Sequence, residues 1–179
     1  MCDRLLKHWW GERMHIQAPR LTITEFTDAM AQSFCLCSQD GDNRRFLPDE
    51  VDETPEAAHE RLARLMGYYE NADGPLVYAV LLKDGTYIGH VEACPLKEGW
   101  EVGYHIHAAY TGNGYATEAV RAFLPVIMRR LAIARIFGIC RADNFASRKV
   151  LEKCGFQLVS WKDRMRPGKK HMLRYQITK

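Results

Sequence analysis

The sequence predicts an α/β (α+β) fold in a single domain, with a mixed central sheet of about seven strands flanked by about four helices. Segments that favour strands are interspersed along the chain with segments that favour helices. The length of 179 residues fits one domain with a full-sized core. Hydrophobic residues make up 47% and charged residues 26% of the chain, which is the balance of an ordinary globular protein.

Each element is predicted from its own local pattern. Runs rich in β-branched and aromatic residues predict strands, and the Asp84-Gly85 pair predicts a tight hairpin between two of them. Thr54-Pro55-Glu56 predicts a helix start, because it combines a capping hydroxyl, a proline at the first helical position and an acid near the positive helix end. The predicted strands span 21–26, 76–82, 87–94, 100–106, 136–141, 156–161 and 171–178, and the predicted helices span 28–37, 54–69, 114–131 and 144–154.

The remaining segments are predicted to be connections or extensions. Asp28 is expected to cap the first helix, and the polar stretch 38–53 is expected to be a loop. Residues 1–18, which include Trp9 and Trp10, look like an N-terminal arm on a domain that spans 19–179.

Charge and composition argue against several classes of function. The formal charge of +3 is too small to favour nucleic acid as a partner. No apolar run approaches the ~20 residues of a membrane span, and the first residues contain no apolar stretch of signal-peptide length. A cytoplasmic protein with reduced cysteines is therefore expected. Cys35 and Cys37 lack the spacing of a zinc site, and His105 with His107 would be too few ligands, so no metal is expected.

A glycine-rich turn joins a predicted strand to a predicted helix in YHIHAAYTGNGYATE, residues 104–118. Gly112 and Gly114 allow a tight turn and a close approach to a ligand. The free N–H groups and the dipole at a helix start favour an anion, and a pyrophosphate fits such a site. The turn lacks the Lys-Ser/Thr pair of a P-loop, and Thr117 replaces the third glycine of a dinucleotide fingerprint. By itself such a turn is also compatible with an ordinary loop.

A second motif, RADNFASRKVLEKCGF at residues 141–156, makes the interpretation specific. Together the two segments resemble the GNAT superfamily of N-acetyltransferases, and specifically its RimJ/RimL-like (ribosomal-protein-alanine acetyltransferase-like) branch. Pro19-Arg20-Leu21-Thr22 and Glu101-Val102-Gly103-Tyr104 also resemble two strands of that branch, so the resemblance spans 19–179. The residues that match the two main motifs are Tyr110, Gly112, Gly114, Tyr115, Ala116, Thr117, Glu118 and Ala119, then Asn144, Ser147, Glu152, Lys153, Gly155 and Phe156.

The resemblance implies a GNAT fold with splayed strands at an acetyl-CoA site. It implies that one splayed strand pairs with the pantetheine arm, that the glycine turn holds the pyrophosphate, and that Asn144 and Ser147 lie near the pantetheine and the acetyl thioester. Acetyl-CoA is then the cosubstrate and no metal is needed. The strand and turn residues implied to bind it are Tyr104, His105, Ile106, Gly112, Asn113, Gly114, Tyr115, Ala116 and Thr117.

Three positions depart from the pattern of the family. Ala109 and Thr111 replace basic or amide residues that often flank the turn, so phosphate binding would depend on backbone N–H groups. Leu151 replaces the tyrosine that serves many relatives as the catalytic acid. Ser147 or a water is the substitute acid.

The chemistry of acetyl transfer to an amine also requires a base. An ammonium ion has no lone pair, so a carboxylate or an ordered water must accept its proton. Glu101 and Glu92 are the acids on the predicted central strands. If the hairpin pairs Cys94 with Gly99, Glu92 lies opposite Glu101, and their repulsion raises one pKa toward the range of a general base. The candidate catalytic residues are therefore Glu101, Glu92 and Ser147, with Glu101 expected to be the base and Glu92 as the alternative base. The alternative role of each glutamate is simply to face solvent or a basic partner.

Two hypotheses about function remain. The first is an N-acetyltransferase that transfers the acetyl group directly to a primary amine, either a protein N-terminal amine or a small-molecule amine. Covalent catalysis through Cys94, Cys140 or Cys154 is less favoured, because no His–Cys pair is evident. The second is a non-catalytic acyl-CoA-binding sensor or partner-binding module. The sequence favours no nucleic-acid or membrane partner and leaves a homodimer open.

Overall fold

The fold is built on one mixed sheet. The structure, a computed structural model, describes residues 13–70, 74–159 and 171–179. The strands in these residues are β1 (His15–Gln17), β2 (Leu21–Thr24), β3 (Leu76–Leu82), β4 (Tyr87–Leu96), β5 (Gly99–Ile106), β6 (Arg135–Arg141), β7 (Gln157–Val159) and β8 (Met172–Thr178). These eight described strands lie in the order β1-β2-β3-β4-β5-β6-β8-β7, and all neighbours are antiparallel except β5 and β6, which are parallel.

The seven predicted strands are confirmed, and the eighth lies within the range of the predicted arm. His15–Gln17 pairs with Leu21–Thr24 at the edge of the sheet. Trp9, Trp10, Trp161 and the end of the predicted strand 156–161 lie outside the described residues.

The described part of the chain contains five α-helices, of which four were predicted and the same four cover the two faces of the sheet. Thr54 caps its helix as expected, since its Oγ1 accepts a hydrogen bond from Ala57 N at 3.2 Å. Asn144 caps the last helix through Ser147 N at 3.0 Å. The helices are α1 (Ala31–Ser38), α2 (Gly41–Phe46), α3 (Pro55–Gly67), α4 (Tyr115–Arg130) and α5 (Phe145–Lys153). None of the helices in the described residues is both long and apolar enough to cross a lipid bilayer.

Two predictions in the first half of the chain were wrong. Asp28 does not cap α1, because a short 3-10 helix (Asp28–Met30) precedes it and α1 begins only at Ala31. The predicted loop 38–53 contains α2. Its polar residues hold the helix in place: Asp40 Oδ1 accepts from Asn43 N at 2.8 Å, and the buried Asn43 side chain donates to Ser38 O at 2.7 Å.

The register predicted for the β4–β5 hairpin was also wrong, by two residues. The ladder continues to Leu96↔Gly99, so Cys94 pairs with Glu101 rather than with Gly99. Only two residues form the turn, whereas the prediction required four. Glu92 therefore lies diagonally across from Glu101 instead of opposite it.

The core has two layers, one on each face of the sheet. On one face α4 and α5 pack against the sheet and contribute Phe123, Ile127 and Leu151, all buried. On the other face α1 and α3 cover Val77 and Ala79 of β3. Because the hydrophobic side chains of β3 alternate between these layers, the central strands are buried on both faces of the sheet and are held in a fixed position.

Candidate active site

The two parallel strands at the centre of the sheet separate from each other. β5 and β6 share one residue pair, Glu101↔Phe137. In contrast, β4 stays paired with β5 as far as Ile106, and β8 pairs with β6 along its whole length. The sheet therefore opens as a V toward the C-terminal ends of β5 and β6. Tyr104, His105 and Ile106 lie on one leg of this V, where backbone groups of a strand are available to an extended ligand.

A pair of hydroxyl groups joins the two sides of the V on the α5 face. Tyr104 Oη donates to Ser147 O at 2.9 Å and lies 2.9 Å from Ser147 Oγ. Asn144 holds Ser147 in place as the N-cap of α5. Burial raises the pKa of the Tyr104 hydroxyl, so this group stays protonated. The structure thus brings Asn144 and Ser147, which the resemblance implied near the thioester, together with Tyr104 of the splayed strand.

The glycine turn ends in a helix start that carries free N–H groups. Gly112 and Gly114 have φ of 80° and 79°, in the left-handed region that glycine tolerates. Gly114 is the N-cap of α4 and offers no side-chain acceptor, and the first helical hydrogen bond runs from Glu118 N to Gly114 O at 3.1 Å. The N–H groups of the preceding three residues are therefore available to an anion.

Arg20 fixes the shape of this turn from another part of the chain. Its backbone N and its Nε donate to the two carboxylate oxygens of Glu118 at 2.7 and 2.6 Å. Its Nη1 donates to Asn113 O at 3.0 Å, and its guanidinium lies 4.6 Å from the centre of the Tyr115 ring. The sequence showed Arg20 and Glu118 only as motif matches, because a contact between residues so far apart in the chain leaves no local pattern.

Three carboxylates meet on the opposite face of the sheet, beside the V. Glu50 approaches Glu92 and Glu101 from the segment between α2 and α3. Burial, followed by the charges of Glu50 and Glu101, raises the pKa of Glu92 to about 7. Burial and Glu50 also raise the pKa of Glu101, while Arg174 opposes that rise. A carboxyl with a pKa near 7 is suited to act as a general base at neutral pH.

Arg61 neutralises the outer part of this acidic cluster. It lies 3.0 Å from Glu50 Oε2 and 3.3 Å from Asp52 Oδ2, and it also donates to Glu50 O at 2.6 Å. The guanidinium is therefore engaged mainly by the loop, and its charge only partly offsets the rise in the pKa of Glu92.

Asp40 is a functional candidate that the sequence analysis missed. Its Oδ2 lies 3.0 Å from His105 Nε2 and accepts from Ala108 N at 3.0 Å. The Asp40 and His105 side chains are only 5% and 8% exposed. An acid within a stretch that resembles a loop gives no signal of such burial, so no sequence pattern indicated this contact.

The three cysteines that the sequence offered as nucleophiles are poorly suited to that role. Burial raises the pKa of Cys94 and Cys140, and it raises the pKa of Cys154 to about 11. The reactive thiolate is therefore disfavoured at all three positions. Within the described parts of the chain, no group of three or more His, Cys, Asp or Glu residues is arranged to hold a metal ion.

Comparison with known proteins agrees with this architecture. Residues 20–157 match the family profile of the acetyltransferase (GNAT) domain. The uncharacterised N-acetyltransferase YnaD of Bacillus subtilis (strain 168) is 29% identical over 147 residues, which is 80% of this chain and 83% of YnaD.

Two solved structures have a similar fold. An acetyltransferase (GNAT family) from Bacillus anthracis has a TM-score of 0.79 and 24% identity, and the match covers 92% of this chain and 98% of the other. RimL, a ribosomal L7/L12 alpha-N-protein acetyltransferase solved with coenzyme A, has a TM-score of 0.77 and 18% identity over 92% and 98% of the two chains.

The central strands of the mixed sheet, the opening between β5 and β6 and the glycine turn before α4 lie within the segment that matches the acetyltransferase domain. The chain belongs to the GNAT acetyltransferase family and is an acetyl-CoA-dependent acyltransferase.

Proposed function

We propose that this acetyltransferase transfers the acetyl group of acetyl-CoA directly to a primary amine, with Glu92 as the general base. One observation carries the proposal. Glu92 pairs with Gly103, two residues beyond the point where β5 and β6 separate, and its pKa is raised to about 7. A proton acceptor thus lies beside the opening in which a thioester would lie.

The geometry supports a specific mode of cofactor binding. The pantetheine arm would lie along Tyr104, His105 and Ile106, and the pyrophosphate would lie at the start of α4. A groove of about 640 Å³ adjoins that helix start, and its lining includes the cationic side chains of Arg20, Arg121 and Lys153. Because Arg20 is already paired with Glu118, Arg121 and Lys153 are the cations that would offset the absence of basic residues at positions 109 and 111.

The reaction then needs only groups of this site. Glu92 accepts a proton from the bound ammonium, and the amine nitrogen attacks the acetyl carbonyl carbon. When the tetrahedral intermediate collapses, the carbon–sulfur bond breaks, the sulfur leaves as a thiolate, and the nitrogen loses its second proton so that the neutral amide forms. The Ser147 hydroxyl, positioned by Tyr104 and Asn144, would pass this proton from the nitrogen to the thiolate and so take the role of the tyrosine acid, whose position Leu151 occupies.

The charge around Glu92 favours a cationic acceptor. The charge of Glu50 raises the pKa of both Glu92 and Glu101, and the charge of Glu101 also raises that of Glu92, so binding of an ammonium would relieve this repulsion. This property suits both acceptors that the sequence left open, a protein N-terminal amine and a small-molecule amine.

Two measurements test the proposal. CoA and acetyl-CoA should raise the melting temperature more than ATP or NAD, because they bind the native state preferentially. Acetyl-CoA consumption should then be measured against a panel of small amines and peptides with free N-termini, with acetylated peptides as matched controls. Turnover of one amine supports the enzyme. Tight CoA binding without any turnover across the panel would instead support the acyl-CoA sensor. This second candidate rests on the buried Leu151, which lies at the position where many relatives have the tyrosine acid.

A further inference from the structure

The short helix α2 contacts both legs of the V. At its N-terminal end Asp40 contacts His105 and Ala108, which belong to the β5 side. At its C-terminal end Arg141 Nη1, at the end of β6, donates to Arg45 O at 2.9 Å. His105 lies four residues beyond Glu101, and Arg141 lies four residues beyond Phe137, the two members of the last shared pair. The helix therefore joins the two strands at equal distances from the point where they separate.

Each end of α2 is held by several contacts. Arg141 and Arg45 both approach Asp143, at 2.6 and 3.6 Å, and both guanidinium groups lie within 5.1 Å of the centre of the Phe46 ring. The middle of the helix is braced by Asn43, whose buried amide donates to the carbonyl groups that precede and follow α2. These contacts hold both ends and the middle of α2 in fixed positions relative to the two strands.

The length of α2 is of the same order as the width that one extended ligand requires. Six residues of helix span about 9 Å, and two strands with one extended chain between them lie about 9.5 Å apart, because neighbouring strands are about 4.8 Å apart. The side chains of Asp40 and Arg141 complete the bridge from the helix to the two strands.

We propose that α2 is a strut that sets the width of the V, and that Asp40 and Arg141 are the positioning residues at its ends. The inference rests on the proposed function in one respect, namely that the V holds the pantetheine arm of CoA. It predicts that loosening either end of α2 weakens binding of the pantetheine arm, while binding of the nucleotide part of CoA, which lies outside the V, is unaffected.

The test compares two ligands by titration calorimetry. CoA reports on the whole site, and adenosine 3′,5′-bisphosphate reports on the nucleotide part alone. Arg141→Gln and Asp40→Asn should each raise the Kd for CoA on the order of tenfold, the scale of one lost charge-assisted hydrogen bond. The Kd for the bisphosphate should not change. The double variant should be no weaker than the weaker single variant, because one broken end already releases the strut.

Two control variants show whether the ends of the strut set the affinity. Arg44→Gln lies on the same helix but breaks only exposed contacts, a pair with Glu53 and a hydrogen bond to Gln39 O, and touches neither strand of the V, so its Kd for CoA should equal that of the wild type. Arg141→Lys keeps the positive charge but loses the planar guanidinium with its several N–H donors, so it should lose as much affinity for CoA as Arg141→Gln. Thermal unfolding verifies that each variant folds. If Asp40→Asn does not fold, Arg141→Gln by itself still tests the proposal.

Four results would overturn the strut: unchanged CoA binding in the single variants, an equal loss for both ligands, a double variant weakened by the product of the single losses, or full rescue by Arg141→Lys. A wild-type protein that binds no CoA would instead overturn the proposed function, and the role of the strut with it.

Discussion

Glu92 lies directly against Gly103 on the neighbouring strand, so that a Cβ atom at position 103 would collide with the Glu92 carboxylate. The absence of a side chain at 103 therefore allows the carboxylate to fold back over β5, beside the opening of the V. This contact decides where the proposed base lies.

Replacement of Glu92 with glutamine should lower turnover by ~10²–10⁴-fold, because the change removes the proton acceptor and keeps the shape. In the wild type, kcat/KM should rise with pH through about 7 as Glu92 ionises. The loss in Glu92→Gln should shrink at high pH, where more of the acceptor amine is already neutral. Glu101→Gln is the matched variant. It should lower turnover less, and the rise of kcat/KM should move to lower pH, because the charge that helps to raise the pKa of Glu92 is gone. If Glu101→Gln shows the larger loss, Glu101 is the base.

The same substitution should stabilise the fold above neutral pH. Glu92 has a pKa of about 7 in the folded protein against 4.5 for the ordinary value, so the folded state retains a proton that the unfolded state has lost. Stability of the wild type therefore falls as pH rises from about 4.5 to 7. Glu92→Gln should gain up to about 3 kcal/mol of unfolding free energy at pH 8 and nothing at pH 4. Urea unfolding at the two pH values measures this difference, and a gain at both would contradict the assignment.

Gly103→Ala should impair catalysis by displacing the base. The added methyl group meets the Glu92 side chain, which must move away from the opening of the V. We expect lower turnover with acetyl-CoA affinity retained. In a Glu92→Gln background the same change should cost little more, because the group that it displaces has already lost its role. Steady-state kinetics of the four proteins measure the coupling, and independent losses would argue that Gly103 acts through the fold.

Gly114→Ala should weaken binding of CoA. A matched control exists in the hairpin turn at Gly85, which has φ of 89° against 79° at Gly114. At neither position does an added Cβ meet an atom closer than 3.7 Å, so both substitutions should lose a similar ~1–2 kcal/mol of stability from the left-handed backbone. Only Gly114→Ala should raise the Kd for CoA, because only that turn leads into the free N–H groups of α4. Equal affinity of the two variants in calorimetry would locate the phosphate elsewhere.

Local patterns predicted most of the elements because their signals are local. The cap at Thr54, the hairpin turn at Asp84-Gly85 and the glycine turn at Gly112–Gly114 each depend on residues adjacent in the chain. The sequence failed at α2 for the same reason. Its cap and braces are polar residues that favour loops, and their burial depends on partners such as His105 that are remote in sequence.

By itself the sequence determined the family, seven of the described strands, four of the described helices, and the segments on which a cofactor is expected to bind, since these follow from motifs and periodicity along the chain. Only the tertiary structure decided which residue Glu92 opposes across the hairpin. A two-residue hairpin turn shifted the register and placed Glu92 over Gly103, and burial together with Glu50 and Glu101 raised its pKa. Register, burial and charge proximity arise from contacts between distant parts of the chain, and the order of residues does not encode them locally.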